Sequence, residues 1–278
     1  MAIGGLRLWL SSCVLLLAAA TGTPARALSL EVSGCENQDN KPGLRIDFCT
    51  QVIESGQYAG SKLAWAYVSR GWAYTENGDP DKGIKDFDEA LRLKPNYGFA
   101  LADRGMAYAR KKDYERAIKD FDAALSASPK LDWALTGRGG SYDELGQYER
   151  AIQDYDAALK LDASNPSTYN NRCWALISLN RLREALKDCD RSLALRPDHE
   201  ATVANRGFVY LRLGELSQAE KDFDQAIQLD PKDASVLLGR SIVKQRLGDR
   251  AGAEKDAAAA RALDANVEAG LRKQAILP

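Results

Sequence analysis

The stretch Ser69-Arg70-Gly71-Trp72-Ala73-Tyr74 returns as Asp103-Arg104-Gly105-Met106-Ala107-Tyr108 and again as Asn205-Arg206-Gly207-Phe208-Val209-Tyr210. Its small-residue column runs Gly71, Gly105, Gly139, Cys173, Gly207 and Ser241, at a constant spacing of 34. A second phrase follows each of the first five members: Lys85-Asp86-Phe87-Asp88, Lys119-Asp120-Phe121-Asp122, Gln153-Asp154-Tyr155-Asp156, Lys187-Asp188-Cys189-Asp190 and Lys221-Asp222-Phe223-Asp224. A fixed period of this length marks a chain built by stacking one supersecondary unit, because no single unit can bury its own apolar face.

Each unit holds two apolar patterns of helical period with a polar turn between them, such as Asn77-Gly78-Asp79-Pro80 or Leu145-Gly146-Gln147. Asp79 is placed to cap the second helix, and Pro80 suits its first turn, where no backbone donor is needed. Gly71 and Ala90 let paired helices approach closely, while Tyr74 and Phe87 fill the space between hairpins. With Gly105, Tyr108, Ala117, Phe121, Ala124 and Pro129 in order, and Gly207, Tyr210, Ala219, Phe223, Ala226 and Pro231 likewise, the repeat resembles the tetratricopeptide repeat (TPR) family. The resemblance implies an all-α fold, a right-handed superhelical α-solenoid of antiparallel helix pairs with first helices lining a concave groove. Six full units are expected at 64–97, 98–131, 132–165, 166–199, 200–233 and 234–267, together 204 of 278 residues.

The ends depart from the repeat, as capping units do. Unit six replaces aromatic positions with Lys244 and Ala257, and a capping helix is expected to run from Asn266 to Leu277. Upstream, segment 28–63 is read as a cap in which Leu44 to Glu54 forms a degenerate half-repeat and Leu28 to Gly43 is irregular. Residues 1–27 form a basic start, an apolar run from Leu8 to Ala20 and the small-x-small site Ala25-Arg26-Ala27, the pattern of a cleaved export signal. Export is therefore expected, to the bacterial periplasm or beyond, with no membrane insertion after cleavage. The full chain carries a net charge of −1, and removal of Arg7 and Arg26 leaves 36 basic groups against 39 acids. That balance and the lack of any basic run argue against nucleic acid.

Cleavage also removes Cys13 and leaves Cys35, Cys49, Cys173 and Cys189, an even number in an exported chain. In the repeat frame Cys173 takes the glycine position of unit four's first helix and Cys189 the aromatic position of its second. Cys49 takes the aromatic position of the leading half-repeat, with Cys35 a similar distance upstream. Disulfides Cys35–Cys49 and Cys173–Cys189 are expected, with buried free thiols as the alternative. No metal and no cofactor is expected, because the chain has one histidine, His199, in an inter-repeat turn and no CxxC spacing. The same scarcity leaves no catalytic constellation, so the chain is read as a non-enzyme.

Two columns change together relative to the family pattern. Arg70, Arg104, Arg138, Arg172, Arg206 and Arg240 precede the small-residue position, and Asp86, Asp120, Asp154, Asp188, Asp222 and Asp256 precede the aromatic one. A ladder of partly buried Arg–Asp pairs is the expected result, with an anion-binding arginine stripe as the alternative.

The leading functional reading is a protein- or peptide-binding scaffold. Assembly through repeat ends, or service as an accessory subunit of an enzyme complex, are the alternatives. A monomer is expected. The resemblance places Trp65, Trp72, Phe99, Asp103, Met106, Trp133, Asn171, Trp174, Asn205 and Phe208 on the groove. It also supplies a comparison with relatives that clamp a C-terminal carboxylate. Asn171 and Asn205 match asparagine places of that clamp, but its lysine places hold Val68, Ala102, Thr136, Phe99, Trp133 and Ser167, so chaperone tails should not bind. The groove rim is expected to be acidic towards the N-terminal half (Glu76, Asp103, Asp143, Glu144) and basic towards the C-terminal half (Arg212, Arg246).

Overall fold

A computed structural model describes residues 24–273 and 276–277, with side chains from residue 29. Among the described residues it is a helical solenoid without strands. Six helix pairs follow the six units: α3 (Ala64–Glu76) with α4 (Pro80–Leu93), α5 (Gly98–Arg110) with α6 (Tyr114–Ala127), α7 (Asp132–Glu144) with α8 (Tyr148–Leu161), α9 (Pro166–Ser178) with α10 (Leu182–Leu195), α11 (Glu200–Leu213) with α12 (Leu216–Leu229), and α13 (Ala234–Leu247) with α14 (Arg250–Leu263). Each second helix also packs on the first helix of the next pair, which makes the array continuous.

The turn inside each pair follows one rule. Gly78, Gly146, Gly214 and Gly248 have φ between 71° and 93°, and the same column holds Lys112 and Asn180 at φ 60° and 59°. All six repeats therefore end their first helix through a left-handed residue, the conformation glycine adopts at least cost. Asp79, Asp113 and Asp249 then accept from the backbone N–H three residues on and start the second helix. Asp79 and Pro80 thus act as their sequence suggests, with Pro80 in the first turn of α4.

The core is a set of spines of small residues and rings. Ala90, Ala124, Ala226 and Ala260 lie in one column and Phe87, Phe121, Tyr155 and Phe223 in another, all fully buried. Gly139 and Gly207 give those rings their room. A Cβ at Gly139 would lie 2.7 Å from the Tyr155 ring, and one at Gly207 would lie 2.7 Å from the Phe223 ring. The close approach foreseen at the glycine column is a ring-on-backbone contact.

Both ends correct the sequence reading. Leu28 to Gly43 is not irregular: α1 (Pro24–Glu36) pairs with α2 (Pro42–Glu54), so the leading half-repeat is a complete hairpin. Within this segment Gly34 is a close-packing position, since a Cβ there would meet the Phe48 ring at 2.4 Å. Of the expected leader, residues 1–23 and with them Cys13 lie outside the described residues, and α1 starts inside it at Pro24. At the other end the capping helix is shorter than expected. α15 (Val267–Lys273) stops early, and Ile276 and Leu277 turn back into the core with Val267 and Leu271.

Candidate functional site

The Arg–Asp ladder is present in all six repeats. Arg138 donates from Nε and Nη2 to the two carboxylate oxygens of Asp154, at 2.8 and 2.7 Å. Arg70–Asp86, Arg104–Asp120, Arg172–Asp188, Arg206–Asp222 and Arg240–Asp256 repeat this fork. The remaining guanidinium nitrogen reaches back to the preceding repeat, to Asp88, Asp122, Asp156, Asp190 or Asp224. Arg70, which has no such aspartate behind it, bonds Thr50 on α2 instead, at 3.2 Å. One arginine column therefore closes each hairpin and ties it to its neighbour. These carboxylates raise the guanidinium pKa values further above their ordinary range, so the arginines stay charged. Lys244, in the aromatic column of the last repeat, adds a second cation to Asp256 at 2.9 Å. The second aspartate column was visible in each Lys-Asp-Phe-Asp phrase, but the sequence reading had given the arginines only one partner.

The disulfides Cys35–Cys49 and Cys173–Cys189 are both formed, with Cα–Cα distances of 4.7 and 5.7 Å. The second bridges the two helices of unit four, where its sulfurs replace the ring-on-glycine contact of units one, two, three and five. Among the described residues no cluster of potential metal ligands occurs, and no helix is long and apolar enough to cross a membrane. His199 lies at the start of α11 with Nδ1 2.5 Å from the Thr202 hydroxyl, and partial burial lowers its pKa.

The first helices of the N-terminal half enclose a groove of about 960 Å³. It gathers seven of the ten expected groove residues: Trp65, Trp72, Phe99, Asp103, Met106, Trp133 and Asn171. Phe99 is 48% exposed and stacks at a tilt on Trp133, with centroids 6.2 Å apart; Tyr97 meets Phe99 edge-on at the same distance. The three tryptophans are half-buried, with Trp65 and Trp133 packed on one side against core residues. Tyr97 and Arg110 complete the groove and escaped the sequence reading. Arg110 caps the preceding first helix through the Thr75 carbonyl, at 3.2 Å, and lies 5.5 Å over the Trp72 ring.

Three expected residues are not on this surface. Phe208 is 2% exposed and packs edge-on against Phe223 at 5.0 Å. Its ring also lies beside Gly239 on the next first helix, where a Cβ would come within 3.0 Å of it. Asn205 is 8% exposed and donates to Asn170 at 3.0 Å, so its amide is engaged inside the array. Trp174 packs, half-buried, against the core of the C-terminal half. The basic rim is likewise in use: Arg212 donates to the Ile177 carbonyl and the Asn180 side chain, and Arg246 to the Leu211 carbonyl.

The acidic side differs. Glu76 pairs with the buried Arg45, whereas neither Asp103 nor Asp143 has an ion-pair or hydrogen-bond partner among the described residues. Burial pushes the Asp103 carboxyl up to about 7, and burial together with the nearby Glu144 does the same at Asp143.

Models of the tetratricopeptide repeat match residues 172–247, 68–132 and 139–172. Together with the 34-residue hairpins, these matches place the chain in the tetratricopeptide repeat family. No curated protein matches it in sequence. Among solved structures it resembles the Cut9–Hcn1 hetero-tetramer of the APC/C (TM-score 0.72, 17% identity, 91% of this chain and 52% of that one). It also resembles pilF of Pseudomonas aeruginosa (0.66, 18%, 76% and 97%) and YrrB, described as a TPR protein with an unusual peptide-binding site (0.54, 18%, 69% and 98%). At these identities the likeness is one of fold.

Proposed function

We propose that this protein is an exported, non-enzymatic scaffold that captures a segment of a partner protein in the groove of its N-terminal half. The observation that carries the reading is the partly exposed floor of Trp65, Trp72, Phe99, Met106 and Trp133 on successive first helices. Rings of this kind, held on rigid helices, are the residues that dominate binding energy at protein interfaces. Two buried disulfides support an oxidising compartment, in line with the export signal expected at residues 1–27 and with the periplasm as its destination. The incomplete asparagine–lysine pattern, with Asn205 engaged by Asn170, supports a specificity other than a terminal-carboxylate clamp.

The test is selection of peptides from an unbiased display library on the full chain, followed by affinity measurement on Trp65→Ala and Trp133→Ala. Loss of affinity with unchanged melting supports the groove. Selected peptides that bind both variants as well as wild type contradict it.

A further inference from the structure

The aspartates of the ladder are all spent on arginines, and Asp103 in the groove is not. Every aspartate of the two ladder columns has a guanidinium partner, from Asp86 and Asp88 through Asp224 and Asp256. Asp103 has none, although it lies at the groove floor among Trp72, Tyr97, Phe99, Met106 and Trp133. The two cations that line the same groove are committed elsewhere. Arg45 is buried against Glu76 and the Gln38 carbonyl, and Arg110 is held by the Thr75 carbonyl and the Trp72 ring. Glu36 and Glu144 also line the groove, and Glu144 takes only a neutral hydrogen bond, from the Tyr114 hydroxyl at 3.1 Å. The groove therefore holds a surplus of carboxylates inside an aromatic wall.

A carboxylate partly shielded from water without a counter-charge is costly, and a cation that reaches it recovers part of that cost. Aromatic faces around it attract the same cation and accept the apolar stem that carries it. An anionic segment meets repulsion at the same place. Resting on the reading of the groove as a peptide site, we propose that its occupant is a polypeptide segment that lays a lysine or arginine side chain between the Phe99–Trp133 rings and Trp72, with its cationic head on Asp103. Apolar neighbours of that residue cover Trp65 and Met106.

Two display libraries, identical except for a fixed central arginine or glutamate, are panned on the full chain. An arginine peptide so selected is then compared with its citrulline version, a neutral near-isostere, by fluorescence anisotropy. The arginine library is expected to yield the binders, and citrulline to weaken binding at least about tenfold on wild type, the size of one charge-assisted contact. On Asp103→Asn the two peptides should bind nearly alike, and Asp103→Lys should shift enrichment to the glutamate library. Equal binding of both peptides to wild type, or an undiminished difference on Asp103→Asn, overturns the proposal. If such peptides still lose affinity on Trp65→Ala and Trp133→Ala, the peptide groove itself survives. If neither library yields a binder, or the tryptophan variants bind normally, both readings fall. Competition by N-acetylarginine amide as strong as by the peptide would point to small organic cations and overturn the segment.

Discussion

Replacing Arg138 by alanine removes the most informative rung of the ladder, because it lies in the middle of the array and has aspartates on both sides. Its guanidinium makes two bonds to Asp154, whose side chain is 9% exposed, and one to Asp122, whose side chain is 54% exposed. Loss of one partner of a buried pair costs about 3–5 kcal/mol, most of it from the carboxylate left behind. The arginine itself is 22% exposed, so water can reach part of the vacated site, and about 2–4 kcal/mol is expected here. The two aspartates should contribute unequally. Bonds to charged groups contribute about 1.5–3 kcal/mol when shielded, whereas an exposed ion pair contributes at most about 1. Double-mutant cycles should give a coupling of about 2–3 kcal/mol for Arg138 with Asp154 and under about 1 with Asp122. Urea unfolding followed by circular dichroism measures both, provided the slope of the transition stays at its wild-type value. A coupling to Asp122 as large as that to Asp154, or a total cost of Arg138→Ala below about 1 kcal/mol, would refute the assignment of the fork as a shielded within-repeat clamp.

Phe208→Ala should destabilise the protein by about 3–5 kcal/mol in the same assay, while Phe99→Ala should stay within about 0.5 kcal/mol of wild type, since only Phe208 is in the core. Peptide mapping without reductant should recover Cys35 joined to Cys49 and Cys173 joined to Cys189, and Cys173→Ala with Cys189→Ala should lower stability by about 3 kcal/mol for the loop it opens. Asp103→Asn should stabilise the free protein. A carboxyl raised from its ordinary value to about 7 in the folded state favours folding fully below the unfolded value of 3.8, and that advantage is lost as pH climbs to about 7. The gain from Asp103→Asn should thus be largest above pH 7, about 1–3 kcal/mol after allowance for the partial solvent contact of the group, and it should shrink as pH falls towards 4.

The repeat and its ladder were legible because they are periodic: a column of six arginines and one of six aspartates that change together report a contact without any coordinates. What escaped was whatever depends on a neighbour's size or on a second partner. Phe208 was assigned to the groove from its register, but its ring packs edge-on against Phe223 and beside Gly239, 31 positions later. Leu28 to Gly43 was read as irregular, but α1 runs to Glu36 and Gly34 there leaves room for the Phe48 ring. Asp103 was read as a rim acid. Its isolation emerges only once the arginines around it are seen to be committed to carbonyls and to other carboxylates.

Protection of the groove tryptophans by a bound peptide is the most direct test of the central claim. In a Trp9→Phe, Trp174→Phe background, fluorescence reports only Trp65, Trp72 and Trp133, all of them half-buried in the groove wall. Acrylamide should quench this emission in the free protein, and a saturating peptide selected on the wild-type chain should reduce the quenching constant substantially. Tryptophans already shielded without peptide, or equally quenched with peptide bound, would contradict the groove as the binding surface.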